Sequence, residues 1–241
     1  MKKSRPKIFR LYLCFYFSKR TFFLLFFLFL LWALIAFLNT GFPYPKSDYI
    51  HSPDDFHQTY LKESLFYLKI INGGVVCFLL GRDRKKEEAF DSMFLTQTTR
   101  GQILFAKLSA KCGFLFLLLA YEGLILLGIG LLCYPKWLPG ISFFQTGYYL
   151  FCYLLEFLLL GYILSLFFDH SFLPIFCFFL YFVLLILSEH ESVKEILSVF
   201  LPIFTSEEHE KTIGLSKRII HWTVCLDLWL ISWSVFQKKE I

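Results

Sequence analysis

The chemistry open to this chain lies in a few polar side chains set inside long apolar runs. Glu122, Glu156 and Asp227 each fall near the middle of such a run, and Lys69 lies within another. A charge at the bilayer centre costs at least about 2.5–3.5 kcal/mol on insertion scales, so these groups are expected to face other helices or a water-filled path. Two readings stay open. The carboxylates line a route for a cationic or amphipathic substrate, or they pair with hydroxyls or Lys69 and hold helices together. His170 and His221 read as helix-end or interfacial residues. The seven cysteines show no CxxC or Cys/His ligand spacing, so no metal site and no disulfide framework is expected. No G-x-x-x-x-G-K-[ST] motif occurs, which leaves nucleotide phosphates without a P-loop to cradle them.

The elements that must position these groups are membrane spans. The chain has 241 residues, of which 57% are hydrophobic and 18% charged, and its mean hydropathy is +0.60. Soluble domains carry about 25% charge. The apolar excess gathers into runs long enough to cross a hydrocarbon core about 30 Å thick. This excludes a soluble enzyme, a secreted disulfide scaffold and a nucleic-acid module. The 32 Phe residues read as lipid-facing filler rather than an aromatic substrate box. The predicted fold is all-α and polytopic, a single transmembrane domain over residues 1–241. Its six spans lie at about 21–39, 64–80, 108–133, 142–167, 171–187 and 219–236. The second is the weakest, interrupted by Lys69, Asn72, Gly73 and Gly74. The first run is too long for a signal-peptide core and no small-residue cleavage motif follows it.

Basic residues set the orientation. Lys and Arg concentrate before the first span, between the second and third, and after the last, so both termini are expected in the cytoplasm of a multi-pass cell-membrane protein. Residues 7–18 mix Ile8, Leu11, Leu13 and Phe15 with Lys7 and Arg10, the composition of a helix lying in the headgroup plane. In the outer segment 188–218, Val193, Ile196, Leu197, Phe200 and Leu201 recur at helical spacing before Pro202. They form either a partly buried outer helix or an amphipathic surface segment. No stretch between spans reaches the roughly 40 residues a domain needs to fold unaided.

The cytoplasmic segment 81–107 is the most informative. A charge run ending in Glu87 and Glu88 precedes Phe90, Met93 and Phe94, which share one side of a short helix. Thr96 to Thr99 then mark a turn, and Arg100 and Gly101 open a new helix. An amphipathic helix in this place can seat its apolar face in a partner's groove. Here the chain resembles the ABC-2 type permeases, the membrane subunits of a large class of ABC transporters. Their corresponding loop runs acidic residues, then Leu-Leu-Ser-Thr-Pro-Val-Ser-Arg, then a Lys seven residues on. Glu87 and Glu88 match the acidic start, Met93 to Arg100 occupy the central motif, and Lys107 stands at the matching distance. Gln97 replaces the usual Pro.

The resemblance implies an ATPase-coupling role for Glu87, Glu88, Phe90, Met93, Phe94 and Arg100. It also implies a dimer of this chain paired with separate ATP-binding-cassette subunits that bind ATP and Mg, the permease itself holding no cofactor and catalysing nothing. Glu122, Glu156 and Asp227 would line the substrate path, and a toxin or antimicrobial peptide is the expected cargo. The alternatives are a stand-alone membrane immunity or binding protein and an intramembrane protease of the Glu/His type. The topology makes a direct prediction. In a cysteine-free background, single cysteines at Ser4 and Gln237 should label only from the inside, and cysteines at Ser52 and Ser206 only from the outside.

Overall fold

In lipid, backbone polar groups must be satisfied within their own segment, which leaves apolar runs of this length the α-helix. The computed structural model is all-α among the residues it describes, which are 5–17, 19–40, 53–81, 99–134, 140–167, 172–187, 190–201 and 215–238. The helices are α1 (Arg5–Tyr16), α2 (Lys19–Asn39), α3 (Pro53–Gly81), α4 (Arg100–Cys133), α5 (Ile141–Phe167), α6 (Leu173–Leu187), α7 (Glu191–Phe200) and α8 (Leu215–Lys238). Five of them, α2, α3, α4, α5 and α8, are long and apolar enough to cross a membrane. The chain is a polytopic, multi-pass membrane protein. The expected span at 171–187 forms α6, an apolar helix of 15 residues. At 1.5 Å per residue α6 is about 22 Å long, shorter than a full hydrocarbon core.

Two helices run well past the spans drawn from the sequence. Residues 53–63, expected as an outer loop, are the first turns of α3. Phe56 and Tyr60, one turn apart and fully buried, stack on each other, and Phe56 also stacks on Tyr134 with ring centroids 5.1 Å apart. Apolar periodicity continued by aromatic residues thus carries the helix beyond the hydrophobic run. At the other end of the bundle α4 begins at Arg100, where the sequence opens a new helix ahead of the span drawn from 108, and is capped by Thr99, whose hydroxyl accepts from the Gln102 amide at 3.4 Å. The polar first turns of α4 remain helical because that cap satisfies one of the free amides.

The centre of the bundle is α3 against α5. The apolar stretches of α3 and α5 are 67% and 61% buried within the chain, against 28% for α2, 28% for α4 and 22% for α8. Contacts set the helix directions. Trp32 meets Tyr67 and Phe37 meets Phe56, so α2 and α3 are antiparallel. Gly74 faces Phe178 and Gly73 faces Tyr181, so α6 runs antiparallel to α3. Tyr148 lies by Arg218 and Glu156 by His221, so α5 and α8 are parallel. The α1 helix buries Ile8, Tyr12 and Tyr16, one face repeating every fourth residue, and packs along α4. By contrast α7 leaves Ile196, Val199 and Phe200 exposed.

Gly73, which interrupts the second run in the sequence, has a packing role. A Cβ there would collide with the ring of Tyr181, and Tyr181 is fully buried with nowhere to swing. Replacing Gly73 by Ala is expected to cost about 1–3 kcal/mol through overpacking. Gly128→Ala, at a site where a Cβ meets nothing within 4 Å, should be neutral or stabilising. Thermal unfolding of both variants in detergent checks the pair. A Gly73→Ala protein as stable as the wild type would show that α3 and α6 are not in close contact.

Candidate functional site

Between the helices lie four polar clusters, each joining segments that are far apart in sequence. The tightest is on the α5–α8 seam. Glu156 and His221 are fully buried, and Nδ1 of His221 is 2.7 Å from Oε1 of Glu156. Cys225, one turn beyond His221 on α8, sits 3.8 Å from Nδ1 and 3.7 Å from Nε2. Nearly equal distances put the sulfur over the ring rather than in line with either nitrogen. Cys152, one turn before Glu156 on α5, also borders the imidazole. All four side chains are shut off from lipid and solvent. The cluster can hold a proton between carboxylate and imidazole, but it offers no opening to a substrate.

The second cluster joins α3 to α4. The Asn72 amide donates to Oε2 of Glu122 at 2.9 Å, with both residues buried. The other oxygen, Oε1, has no hydrogen-bond partner, nor do the nearby Ser64 Oγ and Trp32 Nε1. These three side chains line a small cavity of about 10 Å³ among α2, α3 and α4.

Among the described residues three lysines are buried, Lys69, Lys107 and Lys111, and Lys69 and Lys111 sit over tyrosine rings. Lys69 of α3 lies 5.2 Å and 5.0 Å from the ring centres of Tyr149 and Tyr153 on α5. Its carbonyl accepts a 2.6 Å hydrogen bond from the Tyr181 hydroxyl of α6, which also lies 3.2 Å from the Tyr153 hydroxyl. Lys111 of α4 is almost wholly buried and sits between the rings of Tyr16 and Tyr162, at 5.7 Å and 5.0 Å. An ammonium over two aromatic faces is favoured by each ring quadrupole, by about 2 kcal/mol or more where water is excluded.

The residues singled out from the sequence therefore separate. Glu122 joins the α2–α3–α4 cavity, Glu156 joins the α5–α8 seam, and Asp227 lies on the exposed face of α8. Arg100 stands at the start of α4, where its Nη1 donates to the Gln237 carbonyl at 3.0 Å. Glu87, Glu88, Phe90, Met93 and Phe94 lie outside the described residues. His221, expected as a helix-end or interfacial residue, is instead the buried partner of Glu156. The signal for it was the pair of four-residue spacings, Cys152 to Glu156 and His221 to Cys225, which puts each pair on one helix face.

Among the described residues no group of three or more His, Cys, Asp or Glu side chains could hold a metal ion. Compared with known proteins, the chain matches no family model, and no curated protein matches it either. Fold and interior together define the class: a multi-spanning helical membrane protein with charged and polar groups buried between its helices.

Breaking a buried ion pair by removing one partner costs about 3–5 kcal/mol, whereas replacing both partners by apolar residues of similar size is often neutral. Glu156→Leu and His221→Leu alone are thus expected to destabilise strongly, and the double variant to recover most of the loss. Unfolding of the three variants in mixed micelles measures the coupling. Additive losses would mean that the two side chains act independently.

Proposed function

We propose that this chain is the permease subunit of an ATP-driven exporter, working as a dimer with separate ATP-binding-cassette subunits and carrying an amphipathic, cationic substrate such as a peptide. The observation that carries this reading is the attachment of Arg100. Arg100 ends the stretch that resembles the ABC-2 motif, and its guanidinium grips the last turn of α8 through the Gln237 carbonyl. Next to it, Gly101 is pressed against the Trp233 ring so closely that a Cβ would collide. A displacement of segment 82–98 by a docked ATPase is thereby delivered to α4 and α8 together. From α8 the path continues inward, because His221 on the same helix holds Glu156 at the centre of the bundle.

Other features support the same reading. The start of α4 and the end of α8 lie together, Arg100 on Gln237, as expected of one cytoplasmic face. The antiparallel run of α6 against α3 fits the fifth of six passes in a bundle whose ends alternate. Asp227, exposed at mid-length on α8, is costly against lipid, which fits a second copy of the chain meeting the bundle at that depth.

The test is made on the assembled transporter in vesicles. Replacing Phe90 and Phe94 together by Asp should abolish substrate-stimulated ATP hydrolysis while leaving membrane insertion intact. Arg100→Gln should lower it with the complex still assembled. Full stimulation in the Phe90/Phe94 variant would make the segment a plain solvated linker and remove the permease reading.

A further inference from the structure

The face of α8 turned away from the bundle carries a groove whose two ends differ in chemistry. Leu215, Ile219, Trp222 and Leu226 repeat at helical spacing and make one stripe along α8. With Tyr148 of α5 and Arg218, they border an open groove of about 530 Å³. Arg218 is the one charged residue among those bordering it. The guanidinium carbon lies 5.8 Å from the centre of the Tyr148 ring, and Nε is buried without a hydrogen-bond partner. A buried donor left unmet costs about 1–3 kcal/mol, and more when it is charged. This end of the groove thus calls for an anionic acceptor.

The rest of the groove restricts what the anion is attached to. Arg218 is one turn inside Leu215, the first residue of α8, and α8 has 24 residues. At 1.5 Å per residue that is about 36 Å, enough to set the first turn of the helix at headgroup depth. Tyr148 and Trp222 beside Arg218 are the residue types that gather at this level. Below them, Ile219 and Leu226 are exposed at 59% and 55% and continue the stripe towards the membrane interior. The ligand therefore has a negative head and an apolar tail that descends along the helix.

We propose that this groove is a binding site for one anionic phospholipid, its phosphate on the Arg218 guanidinium and an acyl chain along Ile219, Trp222 and Leu226. Guanidinium matches the phosphate oxygens with two parallel N–H bonds, which a Lys at the same place cannot do. The site does not depend on the transport reading.

The full-length protein, extracted in mild detergent and titrated with dioleoylphosphatidylglycerol or dioleoylphosphatidylcholine, is followed by native mass spectrometry. One phosphatidylglycerol is expected to bind roughly tenfold more tightly than phosphatidylcholine. Arg218→Gln should remove that preference, a loss of about tenfold for one charge-assisted contact, and Arg218→Lys should restore only part of it. Helicity and the unfolding temperature of each variant report whether it has folded. In proteoliposomes, a phosphatidylglycerol with a photoactivatable chain should label residues 215–226. Equal binding of the two lipids, or an unchanged preference in folded Arg218→Gln, overturns the proposal. So does a phosphatidylglycerol preference that emerges only when Glu207, Glu208 and Glu210 are all changed to Gln, since Arg218 would then be occupied by the chain's own carboxylates. Cysteine crosslinking at Thr223 between two copies in lipid-free micelles, with no labelling by the photoactivatable lipid, assigns the face to a dimer instead.

Discussion

Between helices inside a membrane a polar group left unanswered is costly, and the buried charged side chains of this bundle are met by groups on other helices. This one constraint organises the bundle. Glu156 is met by His221 at 2.7 Å, Glu122 by Asn72 at 2.9 Å, and Lys69 by the faces of two tyrosines. Apolar contacts between lipid-coated helices discriminate poorly, because lipid is as good a neighbour as another Leu. Polar pairs discriminate well, because a slip of one turn would strand a charge in hydrocarbon. The clusters therefore fix which helices meet and at what height.

The same logic explains why α3 is central. It is the weakest of the expected spans, short and interrupted by Lys69, Asn72, Gly73 and Gly74, yet it is the most buried of the five long helices. Lys69 and Asn72 need neighbours on several sides, which only the middle of the bundle provides. Gly73 lets α6 come close enough for Tyr181 to reach the Lys69 carbonyl. Polarity and small side chains, which weaken a span as a lone segment, suit it to the centre.

The outer helices behave differently. Much of α2, α4 and α8 faces outward, with Phe23, Phe27, Phe116 and Leu226 among the exposed side chains. That surface is the part of the molecule that interchangeable apolar residues can supply. The exceptions on it are local. Asp227 and Arg218 interrupt the apolar face of α8 with opposite charges. One helix thus joins the interior through His221 and the start of α4 through Gln237.

Much of the fold was legible in the residues, because hydrophobic length and helical periodicity are local properties. The helical, multi-pass class, the helix at the N-terminus and the polar groups within the spans follow from which residues neighbour one another along the chain. The extension of α3 back to Pro53 was not legible from hydropathy, since what holds residues 53–63 helical is the stacking of Phe56 on Tyr134, a residue about eighty positions away. The partners of the buried groups belong to the same category. Sequence marked Glu122, Glu156 and Asp227 as alike, being carboxylates at similar depth. Only the packing separates them, because the rotation of each helix about its axis decides whether a side chain meets Asn72, His221 or the bundle's exterior. That rotation is the sum of contacts from all neighbouring helices, so no single segment contains it.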